Sequence, residues 1–148
     1  MERFFEVMLA GIAVYGTISL IWYIIMIIAN WKIFTKADQP GWMSIIPILN
    51  NYILFKISWS TKMFWAMIGS GVLGGIFNSL AGDQGGIFLY LAFFFYLVMM
   101  IICLVDVHKL SKSFGHGLGF TLGLLFLSPL FTLILGLGKS EYIGPGGE

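Results

Sequence analysis

Few side chains in this sequence could do chemistry at membrane depth, and Asp106 is the most conspicuous of them. An ionisable residue beside an apolar run is costly to bury and is usually functional. His108 follows two residues later, on nearly the opposite side of a helix, so the two side chains cannot easily bind one metal ion; adding His116 would require a further fold-back. Lys109, three residues after Asp106, can pair with its carboxylate. The sequence therefore predicts an interfacial ion pair, a candidate polar site of Asp106 and His108, and no metal site.

The remaining residues give no support for catalysis or for a cofactor. The single Cys103 lies within an apolar run, which leaves neither an intrachain disulfide nor a cysteine-based zinc cluster. No dinucleotide-binding, phosphate-binding or metalloprotease motif is present. We therefore expect no catalytic residues, no cofactor and no enzyme activity.

The composition places the chain in a membrane. Hydrophobic residues make up 59% of the sequence and charged residues only 10%, outside the usual range for a soluble domain. The formal net charge is +1 and no basic run occurs, which excludes the electrostatic footprint of a nucleic-acid-binding protein. We expect an integral protein of the cell (plasma or inner) membrane, with the lipid bilayer as its surroundings.

Four apolar segments are long enough to cross a bilayer, since about 20 residues of helix span its hydrocarbon core. They cover residues 7–30, 63–81, 87–107 and 118–137. The first is too long for a cleaved signal sequence, and the acidic residues before it argue against one. The Gly-rich stretch between the second and third makes those two antiparallel neighbours. The prediction is an all-α polytopic domain covering residues 1–148, with four transmembrane helices.

The positions of the basic residues predict the topology, because cytoplasmic loops retain positive charge. The first and third loops hold six of the eight: Lys32, Lys36, Lys56, Lys62, Lys109 and Lys112. With four spans these loops share the cytoplasmic face, so both termini are expected to be extracytoplasmic. A fifth crossing over residues 45–57 would be too short and would divide the basic loops between the two faces, so it is the weaker prediction.

The segment between the first two spans, residues 31–57, is too polar to cross the membrane yet rich in tryptophan and isoleucine. Pro47 is tolerable only near the first turn of a helix, and Ser44 is a plausible N-cap for it. Asn50 and Asn51 would be costly in hydrocarbon unless covered by protein or facing water. We expect a cytoplasmic-side helical hairpin, either amphipathic at the interface or partly re-entrant. Its candidate binding residues are Trp31, Lys36, Trp42, Pro47, Asn50 and Asn51.

Two blocks of the sequence carry a resemblance. The first runs from Trp31 to Ile57 and contains the pattern Trp31, Lys36, Ala37, Gly41, Trp42, Pro47 and Asn50; the second runs from Lys112 to Tyr142. Together they resemble a family of small multipass bacterial membrane proteins of unknown function. The first block is also similar to the membrane-embedded extension of certain bacterial signal peptidases. The resemblance implies a bacterial membrane protein and almost nothing about its activity.

The peptidase chemistry does not follow from that similarity. It would require a serine nucleophile and a lysine base on an extracytoplasmic catalytic domain. Ser58, Ser60 and Lys62 are close in sequence but lie in the loop assigned to the cytoplasm. We expect no Ser/Lys pair there.

Glycines at four-residue spacing line one face of two predicted spans. They are Gly71 and Gly75 in the second span, and Gly115, Gly119 and Gly123 at the fourth. Such faces let membrane helices approach closely. The prediction is packing of the second span against the fourth, with self-association as the alternative. Pro129 is expected to kink the fourth span, and Asn78 to hydrogen-bond to a neighbouring helix.

Two classes of function are consistent with these features. The leading hypothesis is a non-enzymatic interaction or accessory module that binds another membrane protein or forms a homo-oligomer through the glycine faces and the hairpin. The alternative is a small channel or transporter with Asn50, Asn51, Asp106 and His108 around a cytoplasmic vestibule; it requires an oligomer, because four spans hold too little polarity for a monomeric pore. A lipid-interacting role is a third possibility that uses the same hairpin.

Overall fold

The computed structural model of the chain describes residues 1–82 and 85–147 and contains only helices in that part. The helices are α1 (Glu2–Lys36), α2 (Pro47–Ser58), α3 (Thr61–Ala81), α4 (Gly86–Ser113), α5 (Leu118–Phe126) and α6 (Ser128–Leu137), with 3-10 turns at Gly41–Ile45 and Pro145–Gly147. Among the described residues, α1, α3 and α4 are long and apolar enough to cross a membrane. The all-α class is confirmed.

Helices α3 and α4 pack side by side in antiparallel directions, as predicted. Residues 83 and 84 of the predicted Gly-rich turn lie outside the described residues. Gly71 and Gly74 lie against the Met99 sulfur and the Tyr96 ring, and a Cβ at Gly74 would come within 2.8 Å of that ring. Gly71 of the predicted glycine face, together with Gly74, therefore packs against α4, whereas the sequence predicted the fourth apolar segment as the partner of that face.

The fourth apolar segment is not one continuous span. Its helix breaks at Leu127 (φ −125°, ψ 41°), and Pro129 begins the next helix in its first turn. The chain then folds back, since the rings of Phe120 and Phe131 lie 5.0 Å apart between centroids. Phe131 also occupies the space beside Gly123. Helices α5 and α6 thus form an antiparallel hairpin.

The length of this hairpin fits half a membrane. Its arms have 9 and 10 residues, which corresponds to about 14 Å per arm, roughly half of the hydrocarbon thickness. Both of its ends lie together, because His116 Nε2 is 2.8 Å from Ser140 Oγ. The predicted single crossing over residues 118–137 is therefore not what the chain forms.

The segment after α1 also folds back. Asp38 takes a positive φ of 54°, and Gly41 lies beneath the Trp31 indole. The Tyr23 hydroxyl then donates to the Ile45 carbonyl at 2.9 Å, so residues 41–45 run back along α1. Helix α2 returns from there to the level of the α4 C-terminus.

The start of α2 agrees with the sequence in one respect and differs in another. Pro47 occupies the first turn, where its missing N–H removes no helical bond. Ser44 is not the N-cap: Ile46 holds that position, and the buried Ser44 hydroxyl has no hydrogen-bond partner within the described residues.

The core lies where the end of α1, helix α2, the end of α4 and α6 meet. Its buried members are Ile33, Phe34, Ala37, Ile53, Ile57, Leu110, Phe114 and Leu135. A backbone contact closes one side, since a Cβ at Gly136 would lie 2.5 Å from the Ala29 carbonyl oxygen. Side chains that pack in the interior are thus concentrated at one end of the fold.

The C-terminal residues dock on the same end. The Ile143 amide donates to the Ser113 carbonyl, and the Tyr142 hydroxyl donates to the Ile57 carbonyl, each at 2.8 Å. Met1 lies at the far end of α1, about 50 Å from Lys36 along a 35-residue helix. The termini therefore lie at opposite ends of the fold, whereas the four-span prediction placed both at the same end. The difference arises because the α5–α6 hairpin returns the chain to the end it entered from.

Candidate functional site

A cavity of about 210 Å³ lies between α1, α2, α3, α4 and the α5–α6 hairpin, and we name it the polar cavity after the oxygen-bearing side chains in its largely apolar wall. Its wall combines apolar side chains with Cys103 and five side chains that carry oxygen. The latter are Asn30 of α1, Asn51 of α2, Asp106 of α4, and Ser128 and Thr132 of α6. The two fold-backs create this grouping, because they bring residues 51, 128 and 132 beside α4.

Asp106 is the charged group of the cavity. Its side chain is 7% exposed, and the buried Ser58 hydroxyl donates to its Oδ1. No lysine, arginine or histidine nitrogen forms an ion pair with it within residues 1–82 and 85–147. The Asp106 carboxylate thus accepts a hydrogen bond from Ser58 at the C-terminal end of α2. No basic side chain among the described residues pairs with it.

The predicted ion pair between Asp106 and Lys109 is not formed. Lys109 Nζ lies over the Trp59 ring, 5.4 Å from its centroid. Three residues of separation turn the two side chains about 60° apart on the helix. Asp106 faces the interior, whereas Lys109 reaches an indole whose π face attracts its ammonium group.

The asparagines divide into two groups. Asn51 borders the cavity, and its Nδ2 donates to the Pro47 carbonyl at 3.1 Å. Asn30 also borders the cavity and is 7% exposed. Asn50 does not border it, and its buried Oδ1 has no partner among the described residues. Asn51 and Asp106 were predicted from the sequence as candidate site residues. The wall residues Asn30, Ser128 and Thr132 were not predicted.

His108 lies outside the cavity. Its Nδ1 is 3.0 Å from the Thr121 hydroxyl, which connects α4 to α5. His116 stacks on Phe120 and bonds to Ser140, so it joins the two ends of the hairpin. In the part of the chain that was searched, no three His, Cys, Asp or Glu side chains are grouped as metal ligands. Both histidines hold the hairpin in place.

The other predicted hairpin residues have structural contacts. Lys36 Nζ donates to the carbonyls of Leu135 and Gly138, at 2.6 and 2.8 Å. These are C-terminal carbonyls of α6, where a cation is favourable. Trp31 covers Gly41, while Trp42 is about half exposed. Lys36 therefore fixes the C-terminal end of the α5–α6 hairpin to α1.

The predicted glycine faces are mostly open. Gly75 and Gly119 have no atom within 4 Å of a would-be Cβ, and Gly115 stands before α5 with φ 75°. Asn78 makes no hydrogen bond within the described residues. It borders an apolar groove of about 480 Å³ between α3 and α4, with Phe93 and Tyr96 in the wall.

A comparison with known families gives one match. The model of a family of unknown function, DUF5684, matches residues 42–145, which is 104 of the 148 residues. No curated protein and no solved structure matches the chain. The matched range includes every polar wall residue except Asn30, and it begins after the first candidate span.

Proposed function

We propose that the chain, which belongs to the DUF5684 family of unknown function, is a non-enzymatic membrane module that assembles with other membrane-embedded chains. The observation that carries this proposal is the uncovered part of α1. Residues 2–23 are almost wholly exposed, and no Cα atom of α1 lies within 8 Å of a Cα atom of α3 or α4 in the described residues. A long span therefore presents most of its surface for association.

A second copy of the chain is the partner that fits best. The apolar groove between α3 and α4 lies toward the end opposite the core, as do residues 2–23 of α1. Tyr15 is about 30 Å from the Lys36 level along α1, and Phe93 is about 30 Å from the Ser113 level along α4. The two open surfaces thus match in depth and in apolar character. Because they are different patches, the contact is heterologous, and it forms a ring where the rotation between successive copies closes.

The orientation follows from charge. Seven of the eight basic residues lie in segments at the core end, and only Arg3 lies at the other end. Cytoplasmic segments retain positive charge, so the core end faces the cytoplasm. The N-terminus is then extracytoplasmic, the C-terminus cytoplasmic, and both fold-backs enter the bacterial cell membrane from the cytoplasmic side.

Disulfide cross-linking tests the proposal. In a Cys103→Ser background, Tyr15→Cys combined with Phe93→Cys is expected to form covalent dimers and higher oligomers in native membranes. Phe94→Cys in place of Phe93→Cys is the matched control, because Phe94 is 55% exposed at the same depth but does not border the groove.

Native mass spectrometry of the gently released complex supplies the partner. A homo-oligomer together with the groove-specific cross-link supports the proposal. A stoichiometric second protein without self-association contradicts the choice of partner, and a monomer without any partner contradicts the assembly role.

The second candidate, a small oligomeric channel or transporter, is favoured by a different observation, the polar cavity at Asp106. It predicts that the purified protein moves a small ion across liposomes, and that Asp106→Asn reduces that flux. Equal flux in both proteins, or none, would count against it. A lipid-interacting role stays a prediction from the interfacial tryptophans.

A further inference from the structure

We infer that the cavity between the two fold-backs is a binding site for a small monovalent cation of the Na⁺ or K⁺ class. Asp106 would supply the charge, and Asn30, Asn51, Ser128 and Thr132 would supply neutral oxygens. The inference does not depend on the assembly role, because it concerns a site inside one chain.

The first argument is the uncompensated carboxylate. A buried charge in a protein is ordinarily paired or coordinates a metal. The Ser58 hydroxyl serves only Oδ1 of Asp106. Lys36 and Lys109, on helices that border the cavity, are engaged with the α6 carbonyls and the Trp59 ring. A bound monovalent cation would neutralise the Asp106 carboxylate, which these two lysines do not reach.

The second argument is the direction of the hydrogen bonds in the wall. The Thr132 hydroxyl donates to the Ser128 carbonyl at 2.6 Å, and the Asn51 Nδ2 donates to the Pro47 carbonyl at 3.1 Å. The Thr132 hydroxyl proton and one of the two Asn51 amide protons are thus used within their own helices. The acceptor groups of these two residues, the Thr132 hydroxyl lone pair and the Asn51 carbonyl oxygen, can coordinate a cation.

The third argument concerns the type of cation. Oxygen ligands suit hard cations, and protein sites for Ca²⁺ use several carboxylates. Here a single carboxylate stands among neutral oxygens, and the searched residues contain no group of three acidic, histidine or cysteine side chains. One carboxylate among neutral oxygens favours a cation with a single positive charge.

The size of the cavity is consistent with such an ion. A water molecule takes about 30 Å³ of liquid volume, so about 210 Å³ holds an ion with several of its waters. Asp106 is the one carboxylate among the wall residues, so it sets the sign of the charge in the cavity.

Thermal unfolding of the purified full chain in detergent tests the inference. The protein is compared in NaCl, KCl and N-methyl-D-glucamine chloride at one ionic strength, so only the small cation changes. We expect Tm to rise by about 5 °C in Na⁺ or K⁺ at concentrations about a hundredfold above Kd. An equal Tm in all three salts would overturn the site.

Two aspartate variants locate the effect. Asp106→Asn keeps an oxygen that can accept the Ser58 bond and removes the charge, so the cation-dependent rise should be lost. Asp38→Asn is the matched control: it removes the same charge from an exposed residue with φ 54°, a conformation that asparagine tolerates. The control should keep the rise. A rise that survives in Asp106→Asn, or that disappears in both, overturns the inference.

Thr132→Val provides a test if Asp106→Asn fails to fold. It preserves the shape of the side chain and removes one oxygen ligand. The Na⁺ concentration at half of the Tm rise should increase about tenfold, the effect of losing one hydrogen-bond-sized contact. An unchanged concentration contradicts the site. Cation binding without liposome flux would support this inference while contradicting the channel candidate, so the two outcomes are distinguishable.

Discussion

Tyr142 connects the C-terminal residues to the core through one hydrogen bond. Its hydroxyl donates to the Ile57 carbonyl at 2.8 Å, one of the last carbonyls of α2. Burial raises the pKa of Tyr142 from its ordinary value of 10.0. The raised pKa means that this contribution to stability is fully present below about pH 10 and is lost as the pH rises through the folded value. The bond therefore makes docking of the C-terminal residues sensitive to alkali.

Tyr142→Phe should remove that bond and its pH dependence. We expect about 1 kcal/mol of lost stability below pH 10, and a shallower decline of Tm above about pH 10 than in the unaltered protein. Tyr90→Phe is the control, since Tyr90 is 74% exposed. Thermal unfolding across that pH range measures both. Identical alkaline profiles for Tyr142→Phe and the unaltered protein would show that the bond is not formed.

At the residue scale, the sequence could identify unusual side chains but not their neighbours. Asp106 and Asn51 stand out because polar groups in an apolar context are costly. Ser58, which bonds to Asp106, is 48 residues away, and Thr132 is on a hairpin that the sequence interpreted as a span. Lys109 was predicted as the partner because only local spacing is visible in a sequence, whereas Trp59 attracts it in the fold.

At the element scale, the α5–α6 hairpin depends on how closely its arms approach. Gly123 has the Phe131 ring directly against it, so a Cβ there must displace the ring. Gly119, one turn earlier on the same helix, has open space instead. A substitution at Gly123 therefore reports on tertiary packing, and one at Gly119 reports on helix propensity, within the same helix.

Alanine at these two positions should act in opposite directions. Gly123→Ala is expected to cost about 1–3 kcal/mol through overpacking, whereas Gly119→Ala should gain up to about 1 kcal/mol from the lower backbone entropy of alanine. Thermal unfolding of both variants under one condition measures the difference. Stabilisation by both substitutions would indicate a straight fourth helix in which Gly123 and Phe131 are far apart.

The sequence could not distinguish the hairpin from a span for a physical reason. A 20-residue apolar segment has the length of one crossing and also of two half-crossings. Proline is tolerated in transmembrane helices with a kink, so Pro129 predicted a bend but not its size. The positions of α1, α3 and α4, by contrast, follow from hydropathy, although α1 and α4 extend beyond the predicted residues 7–30 and 87–107. Pro47 marks the start of α2 by its missing N–H.

At the scale of the whole molecule, the number of crossings decides on which side each terminus lies. Three crossings, by the candidate spans α1, α3 and α4, would place the termini on opposite faces, whereas four would place them on the same face. The charge distribution is compatible with either count at the N-terminus, because Arg3 is the only basic residue there. The side of the membrane on which the C-terminus lies therefore distinguishes three crossings from four.

Labelling of introduced cysteines in intact cells decides between the two topologies. In a Cys103→Ser background, Glu2→Cys should react with a membrane-impermeant maleimide, and Glu141→Cys should react only after the cells are opened. Both side chains are exposed in the fold, so the difference reports the membrane and not burial. Reaction of both cysteines in intact cells would indicate that residues 118–137 form a fourth crossing. It would also separate Ser128 and Thr132 from Asp106, because a continuous helix over residues 118–137 could not return to α4, and the polar cavity would not exist.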